Sequence, residues 1–197
     1  NLTDILYAKK LGYKIKLLAI AELKKSKLIE RVHPCLVLDR SYIANINGVL
    51  NAIIVDANPI GRTVYQGEGA GPGPTSSALF SDLCSVIKDN TRYTFGVPTK
   101  LLKKINKFDI SKTEYSSYLR IEVKDKSGVL STITKVFSKN KISIKNLVQL
   151  PDKEKKLASI AVITHKSIEK NFNNLLKKLL KNKFVVGKPT FIRVEKL

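Results

Sequence analysis

The chain has 197 residues, 43% of them hydrophobic, a net charge of +20 and two cysteines. That length suits one large domain or two small ones, and the apolar content supports a real core, which argues against disorder. No apolar run approaches the roughly 20 residues of a membrane span, no stretch reads as a secretory signal, and Cys35 and Cys84 form no CxxC pair; a disulfide framework and a zinc site are disfavoured, and a reducing, cytoplasmic setting fits.

Leu2 to Leu11 reads as a helix, with Thr3 as N-cap and Gly12 as its stop. Tyr13 to Ala21 is strand-like and becomes fully apolar, the pattern of a central strand. Glu30 to Val37 is a second strand, in which Pro34 lacks an amide donor and marks an edge or a bulge. His33 lies within it. Its imidazole has the chemistry of a general base or a ligand. With no second His, Cys or carboxylate at metal spacing nearby, it reads as a polar residue on the open face of the strand.

Ser41 to Val49 is a short helical or turn segment, and Leu50 to Asp56 is a third strand closed by Asn58-Pro59-Ile60-Gly61. Thr63 to Gln66 is a fourth strand, running into a turn with glycines at 67, 69, 71 and 73 and prolines at 72 and 74. Glycines at this spacing permit positive φ and let a ligand or a second backbone come near. A helix opening at Thr75-Ser76-Ser77 would aim free N–H groups at a phosphate or carboxylate. A glycine corner used for packing alone is the competing reading. The helix places Leu79, Phe80, Leu83, Val86 and Ile87 on one stripe and ends at Asp89-Asn90.

Residues 91–116, with Gly96, Pro98 and then Lys100, Lys103, Lys104 and Lys107 between apolar segments, read as a linker, with a boundary near residue 110. Beyond it the pattern is complete. Leu119, Ile121 and Val123 alternate with Arg120, Glu122 and Lys124 in a half-buried strand. After the turn Asp125 to Gly128 comes a helix, Val129 to Lys139, then a strand, Ile142 to Leu150. Ser127 is placed to cap that helix. A hairpin turn at Pro151 to Lys155 leads to a strand, Leu157 to Thr164, a helix, Ser167 to Lys181, and a last strand, Phe184 to Val194, broken at Gly187 and Pro189. The order βαββαβ is a split ferredoxin-like unit of about 80 residues.

The charge is uneven. Residues 1–97 hold 12 Lys and Arg against 8 Asp and Glu, a balance of +4; residues 98–197 hold 24 against 8, a balance of +16. A basic half-chain raises the question of nucleic acid. However, only Arg120 and Arg193 are arginines there, and the lysines are scattered with little aromatic interleaving, so a Lys-rich composition is the better reading.

Four stretches carry a resemblance: Leu11 to Ala21, Arg31-Val32-His33-Pro34, Gly48 to Ala52, and above all Gly67 to Asp82 with its fixed glycines, Pro74-Thr75 and Asp82. They resemble the latter part of the catalytic domain of homoserine dehydrogenases. Tyr118 to Leu130 resembles the start of an ACT domain, an amino-acid-sensing module, although Ser127 stands where that family commonly has proline. The resemblance implies an α+β chain: residues 1–97, a mixed-sheet portion of the catalytic and oligomerisation domain; 98–116, a linker; and 117–197, a ferredoxin-like ACT domain. It implies NAD(P)-dependent interconversion of aspartate semialdehyde and homoserine. The catalytic lysine, the substrate carboxylates and the Gly-rich Rossmann fingerprint would lie upstream of the matching region. A chain with no methionine that begins at Asn1 is then expected to be a piece of a longer polypeptide, inactive alone.

On that resemblance Gly71 contacts the dinucleotide, with Gly69 and Thr75 beside it. An amino-acid effector, threonine in many relatives, would meet Asp125, Gly128 and Val129 at the strand-to-helix turn and Asn146 and Gln149 on the next strand. Asp125 and Ser127 acting only as helix caps is the alternative for that turn. No catalytic residue, metal ligand, nucleic acid or membrane partner is expected within the chain, and a homodimer or homotetramer is. A stand-alone amino-acid sensor without catalysis is the alternative function.

Overall fold

Asn1 accepts a hydrogen bond from the Thr3 N–H at 2.8 Å, and helix α1 (Leu2–Lys10) follows. Asn1, not Thr3, is therefore the N-cap, because a cap precedes the first helical residue. The computed structural model describes residues 1–89, 93, 95–152 and 156–196. They divide into two compact units, residues 1–41 with 106–197, and residues 42–105. These units are not contiguous along the chain: residues 1–41, which hold the first two strands, belong with residues 106–197.

The larger unit holds β1 (Tyr13–Lys24), β2 (Lys27–Leu38), β5 (Glu114–Lys124), α3 (Val129–Lys139), β6 (Ile144–Asp152), β7 (Leu157–Thr164), the two-residue β8 (Ser167–Ile168), α4 (Glu169–Leu180) and β9 (Val185–Val194). From β5 onward this is the βαββαβ order expected from the sequence, with β8 added as a short pairing to β5. Sheet order is β1-β2-β9-β5-β7-β6. The break expected at Gly187 and Pro189 is absorbed as an irregularity: Glu122 pairs with Val186 and Arg120 with Thr190, while β9 continues. Of the hairpin turn expected at Pro151 to Lys155, Pro151 and Asp152 are strand, and residues 153–155 lie outside the described residues.

Two expectations about burial change. β1, apolar enough for a central strand, lies at the end of the sheet, and Leu17 is exposed. Apolar content measures what a strand could bury, not whether something covers it. Conversely, β5 is buried on both faces. Leu119, Ile121 and Val123 join Ile133 of α3 and Phe172 and Leu175 of α4 in one core. On the opposite face Tyr118 joins Tyr7 and Ala8 of α1 with Ala161 and Ile163 of β7. Arg120, read as solvent-facing, is only 7% exposed, because α1 closes that face.

That second face carries a buried polar cluster. Arg120 donates to Asp4 at 2.7 and 3.3 Å and to Glu122 at 2.6 Å, and the Tyr118 hydroxyl donates to Asp4 at 3.1 Å. The hydrogen bond from Arg120 to Asp4 raises the guanidinium pKa further. Burial, helped by the nearby Asp4 charge, raises that of Tyr118, so Tyr118 stays a neutral donor.

The smaller unit holds β3 (Leu50–Ala57) and β4 (Gly61–Glu68), an antiparallel pair registered from Leu50 opposite Glu68 to Ala57 opposite Gly61, and α2 (Pro72–Ile87). Arg62 donates to both oxygens of Asp56 at 2.7 and 2.8 Å across the hairpin end. The helix stripe expected to be core is 55 to 74% exposed. Periodicity marks a face, and among the described residues of this unit nothing closes over it. Among the described residues no helix is long and apolar enough to cross a membrane.

Candidate functional site

Three places collect the residues with chemistry to offer: the turn between β4 and α2, the turn between β5 and α3, and the meeting of β2 with the end of β9.

At the first, α2 opens at Pro72, three residues before the expected Thr75, with Gly71 as N-cap. Proline at the first helical position has a pre-set φ and loses only an amide that a helix start leaves unpaired. Gly71 has φ +125, a conformation in which a side chain is strained, while the space a Cβ would enter meets only Pro74 Cδ at 3.6 Å. Glycine is thus required here for backbone conformation rather than for room. Gly69 is the reverse case: its φ is ordinary, but a Cβ would overlap the Asn51 side-chain amide, which would have to swing away. Its N–H donates to the Val49 carbonyl at 3.0 Å.

Thr75 is exposed on the first turn of α2, and its N–H is already given to the Gly71 carbonyl at 3.1 Å. Pro72 and Pro74 have no N–H. Of the amides at this helix start, Gly71 and Gly73 alone have no helical acceptor by position. The expected array of free N–H groups is therefore reduced to two, because the prolines that start the helix remove the others. The turn suits close approach of a ligand better than a cradle for a phosphate.

At the second place Gly128 is the N-cap of α3, left-handed at φ +81, with no side-chain cap; neither Asp125 nor Ser127 caps the helix. The Asp125 N–H is held by the Lys156 carbonyl at 3.1 Å and that of Val129 by Lys126 at 3.3 Å. The Val129 side chain belongs to the core. The structure does not bring Asn146 and Gln149 together with this turn in one chain. Asn146 is registered with Ile163, and Ile163 with Tyr118, six residues before Lys124 on β5, or about 20 Å along the strand. Gln149, level with Ile160 and Ile121, is about 10 Å from that end. An odd spacing also puts Asn146 and Gln149 on opposite faces of β6. Both are exposed.

The third place was not foreseen. His33 is not a lone polar residue: its ring, the Cys35 thiol and the Glu195 carboxylate each offer a ligand atom, all within 4.8 Å of one another. His33 Nδ1 is 3.2 Å from Cys35 Sγ, and Arg31 donates to Glu195 Oε1 at 3.0 Å. His33 Nε2 and the Nε and Nη1 of Arg31 are buried without a hydrogen-bond partner. Burial, with Glu195 adding to it against Arg31 and Arg193, pushes the Cys35 thiol up to about 12. The spacing Arg31-x-His33-x-Cys35 was a readable sign, since alternate residues of a strand share a face. Glu195 was not, being 160 residues away.

Comparison with known proteins places these sites in context. Residues 1–84 match the family model described as homoserine dehydrogenase, and residues 117–184 match the ACT domain. Homoserine dehydrogenases of Pseudomonas aeruginosa and Helicobacter pylori are 35% and 34% identical, in each case over 98% of this chain and 46% and 45% of the relative. The crystal structure of a homoserine dehydrogenase from Thiobacillus denitrificans superposes with a TM-score of 0.84 at 35% identity, covering 98% of this chain and 45% of that one. The chain thus spans about half the length of the curated relatives it matches.

Proposed function

We propose that this chain, which joins a homoserine dehydrogenase segment to an ACT domain, is part of an NAD(P)-dependent enzyme that interconverts L-homoserine and L-aspartate 4-semialdehyde under amino-acid feedback. The observation that carries the reading is the likeness to the Thiobacillus denitrificans enzyme along 98% of the chain. The segments correspond to a portion of the catalytic and oligomerisation domain, a linker and an ACT domain, and the setting is cytoplasmic.

A nicotinamide cofactor, when bound, accepts or supplies the hydride. The glycine turn fits it as one wall of a site. Gly71 is exposed, has no Cβ, and holds a backbone conformation that keeps side chains out of the approach. Gly69 lets Asn51 lie beside the turn, and Thr75 shows its hydroxyl on the first turn of α2. Within this chain these residues position and admit; the proton transfer at the substrate oxygen falls to groups outside it. The chain alone is therefore inactive.

For the ACT half, an amino-acid carboxylate would meet the amides at the start of α3, where Gly128 opens the turn, and Asp125, three residues earlier in the chain, would supply the carboxylate for the ammonium group. Asn146 and Gln149, far along β6, would complete such a site only from a second copy, which makes a homodimer or a homotetramer part of the reading. Calorimetric titration of the chain with threonine and related amino acids tests it. Heat that is lost in Asp125→Ala is expected; no heat with any of them would overturn effector binding.

A further inference from the structure

We propose that His33, Cys35 and Glu195 form a divalent metal site of the zinc class, which clamps β2 to the end of β9. The site rests on the juxtaposition of three different ligand types within 4.8 Å of one another. His33 and Cys35 alternate on β2 and share a face. Glu195 follows the last residue of β9 and is brought in by its own N–H, which donates to the Leu36 carbonyl at 2.9 Å.

The dimensions fit. Nitrogen and sulfur ligands at ~2.0 and ~2.3 Å from a tetrahedral ion stand about 3.6 Å apart. His33 Nδ1 and Cys35 Sγ are at 3.2 Å; Nδ1 also lies 3.2 Å from the Pro34 carbonyl and the Cys35 thiol donates to the His33 carbonyl at 3.4 Å, so a few tenths of an ångström of side-chain movement with release of those two contacts opens the position. Imidazole, thiolate and carboxylate together suit Zn2+ and its analogue Co2+ rather than Mg2+ or Ca2+.

The surroundings fit as well. Arg31 holds Glu195 through Oε1, leaving Oε2 as the ligand atom, and ligating carboxylates are commonly oriented by such a bond. Thiolate and carboxylate offset the two charges of the dication, and Arg31, bonded to the same carboxylate, leaves the cluster with a net charge of about +1. On binding, the Cys35 S–H bond breaks, a metal–sulfur bond forms, and the proton leaves to solvent. His33 and Pro34 line a cavity of about 440 Å³, which supplies an entry path and room for a water as fourth ligand. The consequence for the fold is local. Among the described residues β2 and β9 are registered at Cys35 with Arg193 and Leu36 with Val194, so an ion here fastens a joint of two residue pairs.

The test is Co2+ titration of the 197-residue chain, read by the sulfur-to-cobalt charge-transfer absorption, with thermal unfolding in Zn2+ and in chelator. A band at one ion per chain is expected. It should survive Cys84→Ser, vanish in Cys35→Ser, and need about tenfold more metal or higher in Glu195→Gln. Zn2+ should raise the melting temperature of the parent chain and not that of His33→Gln, which keeps the test decisive if Cys35→Ser does not fold. No band, a band lost with Cys84 instead of Cys35, or equal zinc shifts in the parent and His33→Gln would overturn the site.

Discussion

The two units of this chain use apolar residues differently. In residues 1–41 with 106–197, the part of the sheet around β5 and β7 is covered on both faces, by α3 and α4 on one side and α1 on the other, and Phe137, Phe172 and Tyr118 are fully buried. In residues 42–105, α2 carries an equally regular stripe and buries none of it. The contrast separates two things that a periodic pattern merges: the existence of an apolar face, and the presence of a surface to receive it. It also predicts where substitutions hurt.

The largest effect is expected at the buried cluster between α1 and β5. Asp4→Ala leaves Arg120 buried without its partner and should cost about 3–5 kcal/mol in denaturant unfolding, whereas the double change Asp4→Leu with Arg120→Met should recover most of that. A loss under 1 kcal/mol from Asp4→Ala would mean that α1 does not close that face. A second effect concerns pH. The folded-state thiol of Cys35 is raised to about 12 from an ordinary 9, so between those values the unfolded state has released a proton that the folded state retains. Stability then falls as pH rises through that window, by up to about 1.4 kcal/mol per pH unit for one proton. Melting curves in chelator should show a shallower alkaline slope in Cys35→Ala than in the parent, and equal slopes would refute the assignment. The smallest effect is expected on α2: Leu83→Ser should change the stability of this chain by no more than about 0.5 kcal/mol. A cost of 2 kcal/mol would show that the stripe is covered after all.

What the sequence made legible follows the same line. The βαββαβ order could be read because each of its elements carries its own periodicity and its own stop, such as Gly128 before α3 and Asn140 after it. The position of Gly71 could be read because glycine and proline declare their backbone constraints locally. Less legible were features that depend on partners far along the chain. Arg120 looks like a solvent-facing residue until Asp4, 116 positions earlier, is folded onto it. β1 looks central until the sheet order places it at an end. His33 looks isolated until β9 delivers Glu195. The start of α2 was misplaced for a different reason: Ser and Thr drew attention as caps, while Pro72, better suited to a first helical turn, opened the helix.

The proposed function is tested most directly on the full-length protein, by homoserine-dependent reduction of NAD(P)+ with Gly71 and with Gly71→Val. The account predicts activity in the parent, and in the variant a KM for the cofactor raised about tenfold or more, some 1.4 kcal/mol, with the amino-acid response of the ACT half retained. Homoserine-independent turnover, or an unchanged cofactor KM in Gly71→Val, would contradict it.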